Sequence, residues 1–199
     1  MKGRISKWLN SKLKSALPQK LVSRSYFACT VGQSRSEEVL SYLDKQAEHH
    51  NYANRILPPV FVETFARDPA DDRRLEPAHA QVISKFHVVL ATCKRRGVFG
   101  IREGQKVTTK WRAKQSELSI AIIKVSFVPD HVHIALRLHP AISPAEVVAS
   151  LMNLAQDVLE DMLVFLGLDQ LWQDSAYLGS FGDLASEQVR KYLRRALDE

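Results

Sequence analysis

Two histidines, His131 and His133, stand one residue apart in the stretch PDHVHIAL, at the head of a run with strand-like composition. Side chains of a strand alternate between faces, so both imidazoles project from one side within reach of a single divalent ion, and Val132 points away into the core. A His-x-His pair in a strand also reads as an ordinary polar pair. As a metal site it is incomplete, because a third protein ligand is needed with positions left open for substrate. A second chemistry comes from SEEVLSYLDKQAEHH, where Tyr42 and Gln46 are four residues apart and share a face of a helix. Tyrosine beside a neutral oxygen ligand suits metal-assisted nucleophilic attack. Spacing alone equally allows a partly buried Tyr42 and a solvated Gln46.

The phrase around Tyr42 occurs twice. SYFACTVGQSRSEEVLSYLDKQ begins at Ser25, and AYLGSFGDLASEQVRKYLRRA begins at Ala176. Gly32 aligns with Gly182, Ser36 with Ser186, Glu37 with Glu187, Val39 with Val189 and Tyr42 with Tyr192. The register breaks at the end, where Gln46 is matched by Ala196. Alanine has no donor atom, so Tyr192 is the second candidate nucleophile in a copy that lacks the oxygen ligand.

These residues must be held by elements that the sequence outlines. Apolar residues at Ile5, Trp8, Leu9, Leu13 and Leu17 give a helical spacing that Pro18 should end. Ser25 to Val31 reads as a short strand closed by Gly32, followed by a helix with Ser36 at its N-cap and Glu37 and Glu38 in its first turn. Residues 55–80, with several prolines and mixed charge, read as a linker or arm. ISKFHVVLATCK is strand-like, and the basic stretch from Arg95 to Lys114 is loop-like. ELSIAIIKVSFVPDHVHIALRL gives two strands broken at Pro129-Asp130. SPAEVVASLMNLAQDVLEDMLVFLGL is a helix with Ser143 at the N-cap and Pro144 at its first position. A strand around Ala176 to Phe181 and a last helix from Ser186 to about Leu197 complete an α+β chain, with an antiparallel sheet packed by helices. The domain reading is 1–54 as a partial repeat, 55–80 as the linker and 81–199 as the main domain with the second tyrosine helix.

Composition narrows the partners. The 199 residues carry a formal net charge of +6, which favours a polyanion. The distribution is more telling than the total. Met1 to Arg24 holds seven basic residues and no acid, and Lys94 to Lys114 holds eight against Glu103 alone. Lys94, Arg95, Arg96, Arg102, Lys106, Lys110, Arg112 and Lys114 are therefore the candidate phosphate contacts. Trp111, among them, either packs or stacks on a base. Two cysteines, Cys29 and Cys93, make neither a disulfide framework nor a metal motif and fit a reducing cytosol. No run is long and apolar enough for a membrane span. The acid-free start has the composition of a transit peptide, but it runs directly into the patterned repeat and is read as part of the chain.

VPDHVHIAL, SPAEVVASL and a tyrosine-bearing terminal helix together resemble the single-tyrosine HUH transposases, which include the REP-associated tyrosine transposases. FHVVLATCKRRGVF is similar to their first strand and basic turn, and SYFACTVG…EEVLSYLDKQAEHH to their last strand and catalytic helix. The resemblance spans about Ile83 to Glu199 plus Arg24 to His50, and it implies a ferredoxin-like antiparallel sheet with packed helices, the HUH endonuclease fold, preceded by a partial repeat. It implies that His131, His133 and Gln46 bind a divalent metal, magnesium or manganese, although imidazole ligands favour manganese or zinc over magnesium. It implies Tyr42 as nucleophile, a 5′-phosphotyrosine intermediate, and single-stranded DNA, the hairpin ends of a mobile element, as substrate. A homodimer in a prokaryotic cytosol or nucleoid is the implied setting. The long helix that the family carries between its first two strands is not read here; the basic stretch Gly100 to Lys114 stands in its place. A protein that binds hairpins without cutting, and a nuclease using water with no covalent intermediate, are the competing expectations.

Overall fold

Why the His-x-His pair lies at the centre of a sheet follows from the strand order. In a computed structural model, residues 26–46, 61–77 and 80–183 are described. The expected helix near the N-terminus, and the C-terminal helix with Tyr192 and Ala196, lie outside them. Strand β1 (Tyr26–Cys29) leads through Gly32 to α1 (Ser36–Asp44). Then come β2 (Phe61–Thr64), α2 (Pro69–Leu75), β3 (Ala80–Ile83) and β4 (Lys85–Thr92). After a 3-10 turn (Cys93–Arg95) follow α3 (Ile101–Lys114), β5 (Ile120–Val128), β6 (His131–Leu138), α4 (Pro144–Val158), α5 (Glu160–Phe165) and β7 (Trp172–Phe181). The main sheet is antiparallel with order β2-β5-β6-β4-β7, and β1 pairs in parallel with β3. The expected α+β class with an antiparallel sheet is what the chain adopts.

The hairpin β5–β6 turns at Pro129-Asp130 as the sequence requires, and both strands are buried almost throughout. One face of the sheet carries Val88, Leu90, Val125, Phe127, Val132 and Ile134, packed under Val107 and Trp111 of α3 and Leu151 and Ala155 of α4. The other face carries His131, His133 and Ala135, and α1 lies across it with Val39 and Leu43 against Ala135 and Phe181. The central strand therefore turns apolar side chains to one layer and its histidines to the other.

Several sequence expectations are corrected. Arg95 to Lys114 is not a loop, since residues 101–114 form α3, so the helix taken as missing is present. Its apolar face is narrow, little more than Val107 and Trp111, too weak a pattern to outweigh the charge and the glycines. Gly104 is no breaker here: a Cβ at that position would collide with the Phe61 ring. Trp111 is fully buried and donates its indole N–H to the Leu151 carbonyl at 2.8 Å, so it packs and cannot stack on a base. The stretch expected as a linker or arm supplies β2, an edge strand of the main sheet, and α2, whose Asp72 pairs with Arg137 of β6. The long helix from Pro144 breaks at Leu159 into α4 and α5. Strand β7 starts at Trp172, four residues earlier than Ala176.

The two Gly-bearing phrases of the repeat meet each other in space. Thr30 Oγ1 donates to the Phe181 carbonyl and Ser180 Oγ donates to the Val31 carbonyl, both at 2.8 Å. Each hydroxyl stands two residues ahead of its own glycine and reaches the residue ahead of the other. A Cβ on Gly32 would strike the Ser180 carbonyl, and one on Gly182 would strike the Thr30 carbonyl. The repeat is thus a reciprocal crossing of backbones that only glycine allows, and it aims α1 at the sheet.

Candidate active site

Helix α1 has nine residues, too few to be stable alone in water. Its position comes from its contacts. Arg35, not Ser36, is the N-cap residue, and its N–H is taken by the Glu38 carboxylate at 2.8 Å. Ser36 is used differently: its N–H donates to the Gly182 carbonyl at 2.9 Å and its hydroxyl to Asp183 at 2.8 Å. Asp183 also receives Lys85 Nζ at 2.7 Å. At the other end, buried Lys124 of β5 pairs with Asp44 at 2.5 Å. Burial of Val39 and Leu43 adds roughly 1.5–3 kcal/mol each, an upper estimate because the unfolded chain already hides some of that surface.

Docked this way, Tyr42 lies edge-on to His133, with ring centroids 5.4 Å apart, and 6.3 Å from the ring of His87. His131 and His133 face the same side, 4.9 Å apart between rings, and both are buried. Tyr42 is 38% exposed, so its phenol is reachable. It opens on a groove of about 420 Å³ whose walls include Glu38, His87, His133 and the exposed Tyr177. A tyrosine phenol, the imidazoles of His87 and His133 and the flat ring of Tyr177 thus border one open groove.

Gln46, just past α1, is fully buried rather than solvated. Its Nε2 donates to the Tyr42 carbonyl at 2.8 Å, while its Oε1 is buried with no hydrogen-bond partner among the described residues. Leaving such an oxygen unsatisfied costs on the order of 1–3 kcal/mol, a cost that a cation would remove. Two imidazoles and an amide oxygen are neutral donors that suit a divalent ion. The three residues therefore fit the metal that the resemblance implies.

Nothing in the sequence singles out His87, one of three polar residues, with Lys85 and Thr92, in the strand KFHVVLAT. Its Nε2 lies 3.0 Å from His133 Nδ1 and the two rings stack. Burial pushes its pKa down to about 4, so it is neutral at pH 7. A neutral His87 Nε2 can accept the His133 Nδ1 proton, which presents His133 Nε2 as the coordinating nitrogen. The only sequence signal was positional: His87 falls on the alternating residues of β4 that share a face with Val89, the direct cross-strand partner of His133.

A model of the family described as transposase IS200-like matches residues 81–196, more than half of the chain. The chain belongs to the IS200-like transposase family. Among solved structures, it is similar to a protein from Deinococcus radiodurans R1 assigned as a transposase, at 18% identity and a TM-score of 0.45, covering 58% of this chain and 89% of that one. It is also similar to a REP-associated tyrosine transposase solved with a REP hairpin, at 12% identity and a TM-score of 0.41, covering 55% of this chain and 61% of that one. No curated protein matches it.

The eight basic residues expected to bind DNA divide in this IS200-like transposase. Arg102, Lys106 and Lys110 recur every four residues along one side of α3, where they line a shallow surface beside Val158. Lys94, Arg95 and Arg96 form the exposed turn after β4. Lys94 and Arg95 have φ of 55° and 54°. Two successive non-glycine residues in the left-handed region cost roughly 1–2 kcal/mol apiece. The last two are engaged elsewhere: Arg112 sits 4.8 Å over the Phe65 ring, and Lys114 pairs with Glu117 at 2.7 Å. Among the described residues no helix is long and apolar enough to cross a membrane.

Proposed function

We propose that this transposase cuts and rejoins single-stranded DNA with Tyr42 as its nucleophile. The observation that carries the reading is Tyr42 at the groove beside His133, and the buried amide of Gln46, bonded through Nε2 to the Tyr42 carbonyl, supports it. His131 and His133 through Nε2, and Gln46 through Oε1, would hold a divalent ion, magnesium or manganese. When bound, that ion supplies Lewis-acid polarisation of the scissile phosphate. Tyr42 Oη attacks the phosphorus and gives up its phenolic proton to water. The bond from phosphorus to the 3′ oxygen breaks, the 5′ phosphate stays on Tyr42, and the 3′ oxygen leaves as a hydroxyl after taking a proton from water. Attack by a 3′-hydroxyl on the phosphotyrosine reverses these steps and joins strands.

The groove has room for a flexible strand, and Tyr177 offers a face on which a base can stack. The expected substrate is a hairpin end of a mobile element, in a cytoplasmic setting. In the expected homodimer each chain would bring its own Tyr42 to its own His pair. The test is a denaturation-resistant protein–DNA adduct formed with single-stranded DNA and manganese. Tyr42→Phe should abolish the adduct and Tyr192→Phe should leave it; the opposite pattern sinks the assignment. Cleavage without an adduct means that water is the nucleophile, and binding without cleavage means a hairpin-binding protein that no longer cuts.

A further inference from the structure

We propose that Asp130 is a positioning residue of the metal site, fixing His131 in one tautomer, and that Arg95 of the basic turn holds Asp130 in place. The inference rests on the metal site proposed above but concerns residues outside the ligand set. Asp130 Oδ1 lies 2.8 Å from His131 Nδ1, and Asp130 Oδ2 lies 2.8 Å from Arg95 Nε. A carboxylate only accepts, so Nδ1 must carry the proton, and in a neutral imidazole the lone pair is then on Nε2.

The surroundings hold this carboxylate still. The Asp130 carbonyl accepts from both Thr92 N–H and Thr92 Oγ1, each at 2.9 Å, and the Pro129 carbonyl accepts from the N–H groups of Val98 and Phe99 at 2.8 and 3.0 Å. The single Thr92 hydroxyl proton is shared with the Arg96 carbonyl, 2.7 Å away, which ties the left-handed turn at Lys94 and Arg95 to the same point. The backbone of the turn is thereby pinned against the β5–β6 hairpin, and the Arg95 side chain reaches back to Asp130. The two histidines are thus oriented through the same atom by different groups: His131 Nδ1 by a carboxylate, His133 Nδ1 by the imidazole of His87. An ion pair as exposed as Arg95–Asp130 contributes little to stability, so its use lies in direction.

Two readouts test this, one with no metal present. In the metal-free protein, long-range ¹H–¹⁵N spectra should show His131 as the Nδ1–H tautomer, and Asp130→Ala should move it to the other tautomer or to a mixture. Titration with Mn²⁺ followed by EPR should show affinity falling about 10–100-fold in Asp130→Ala, the range typical of a lost outer partner. Asp130→Asn, which keeps an acceptor, should fall less, and Arg95→Ala by a few-fold; these two carry the test if Asp130→Ala does not fold. Unchanged tautomer and unchanged Mn²⁺ affinity in these variants overturn the proposal. If His131→Ala and His133→Ala weaken Mn²⁺ binding while the Asp130 variants do not, the metal site stands and the positioning role fails. If the tautomer depends on Asp130 but the wild type takes up no Mn²⁺, the positioning stands and the metal site itself fails.

Discussion

At the scale of single residues, His133 depends on a neighbour that the sequence did not mark. His87 meets it through a 3.0 Å contact across two hydrogen-bonded strands. Replacing His87 by Leu removes the acceptor and leaves the Nδ1 proton of His133 facing an apolar side chain. Mn²⁺ affinity should then drop about tenfold or more, the usual effect of losing such a partner, as isothermal titration can measure. Gln46→Leu addresses the opposite case. It removes a buried oxygen that lacks a donor together with the Nε2 bond to the Tyr42 carbonyl, and the two offset, so the metal-free protein should change by no more than about 1 kcal/mol in urea while metal binding is lost. A fall in stability with metal binding intact would contradict the role given to Gln46. His131, His133, Tyr42 and Gln46 were legible as candidates because spacing on one strand or one helix is local. His87 and Lys124 were not, since their meaning comes from residues 46 and 80 positions away in the chain.

At the scale of elements, the site depends on how α1 is carried to the sheet. Gly32 and Gly182 permit the crossing that does this, so Gly182→Ala should force the backbones apart. A destabilisation of about 1–3 kcal/mol is expected, as for other overpacked sites, together with earlier proteolytic cleavage near α1. The charged clamp gives a pH dependence. Hydrogen bonds from Lys85 and Ser36 hold the Asp183 carboxyl below its ordinary 3.8, although burial opposes them. Burial also works against the charge of Asp72, but its bonds to Arg137 and Arg67 outweigh that and lower its pKa too. A lowered folded pKa means stability that is present above the unfolded value and lost as pH falls through the folded one. Unfolding midpoints should therefore decline below about pH 4, and Asp183→Asn should be less stable at neutral pH with a shallower acid decline. Element types were largely legible, because alternation, Pro-Asp and Ser-Pro are short-range signals. The exceptions were α3, where a narrow apolar face and a packing glycine gave a helix the look of a loop, and the Pro-bearing stretch that supplies β2 and α2.

At the scale of the whole molecule, the sheet separates the proposed tyrosine site from the basic surface of α3. Tyr42 and the His pair occupy one face, and α3, with Arg102, Lys106 and Lys110, belongs to the layer packed on the other. A strand bound at both places would have to pass round the edge of the domain. Changing these three cations together to Gln should lower the slope of log K against log salt by about 2, since each single-strand phosphate contact contributes roughly 0.7. The yield of adduct at saturating DNA should change little. Equal slopes for the variant and the wild type would show that DNA does not reach α3.

The sequence by itself determined the inventory: a His pair on one strand face, a tyrosine and a glutamine one helical turn apart, a Gly-bearing phrase written twice and a basic middle. Each is a matter of side-chain type at a spacing of two, three or four residues, which backbone geometry reads out locally. Only the tertiary structure decided that α1 crosses the sheet so that Tyr42 meets His133. It also decided that His87 and Asp130 orient the two imidazoles, and that the duplicated phrase is a crossing of backbones. Those facts depend on strand register and on close approach at two glycines, and both are set by the packing of segments far apart in the chain.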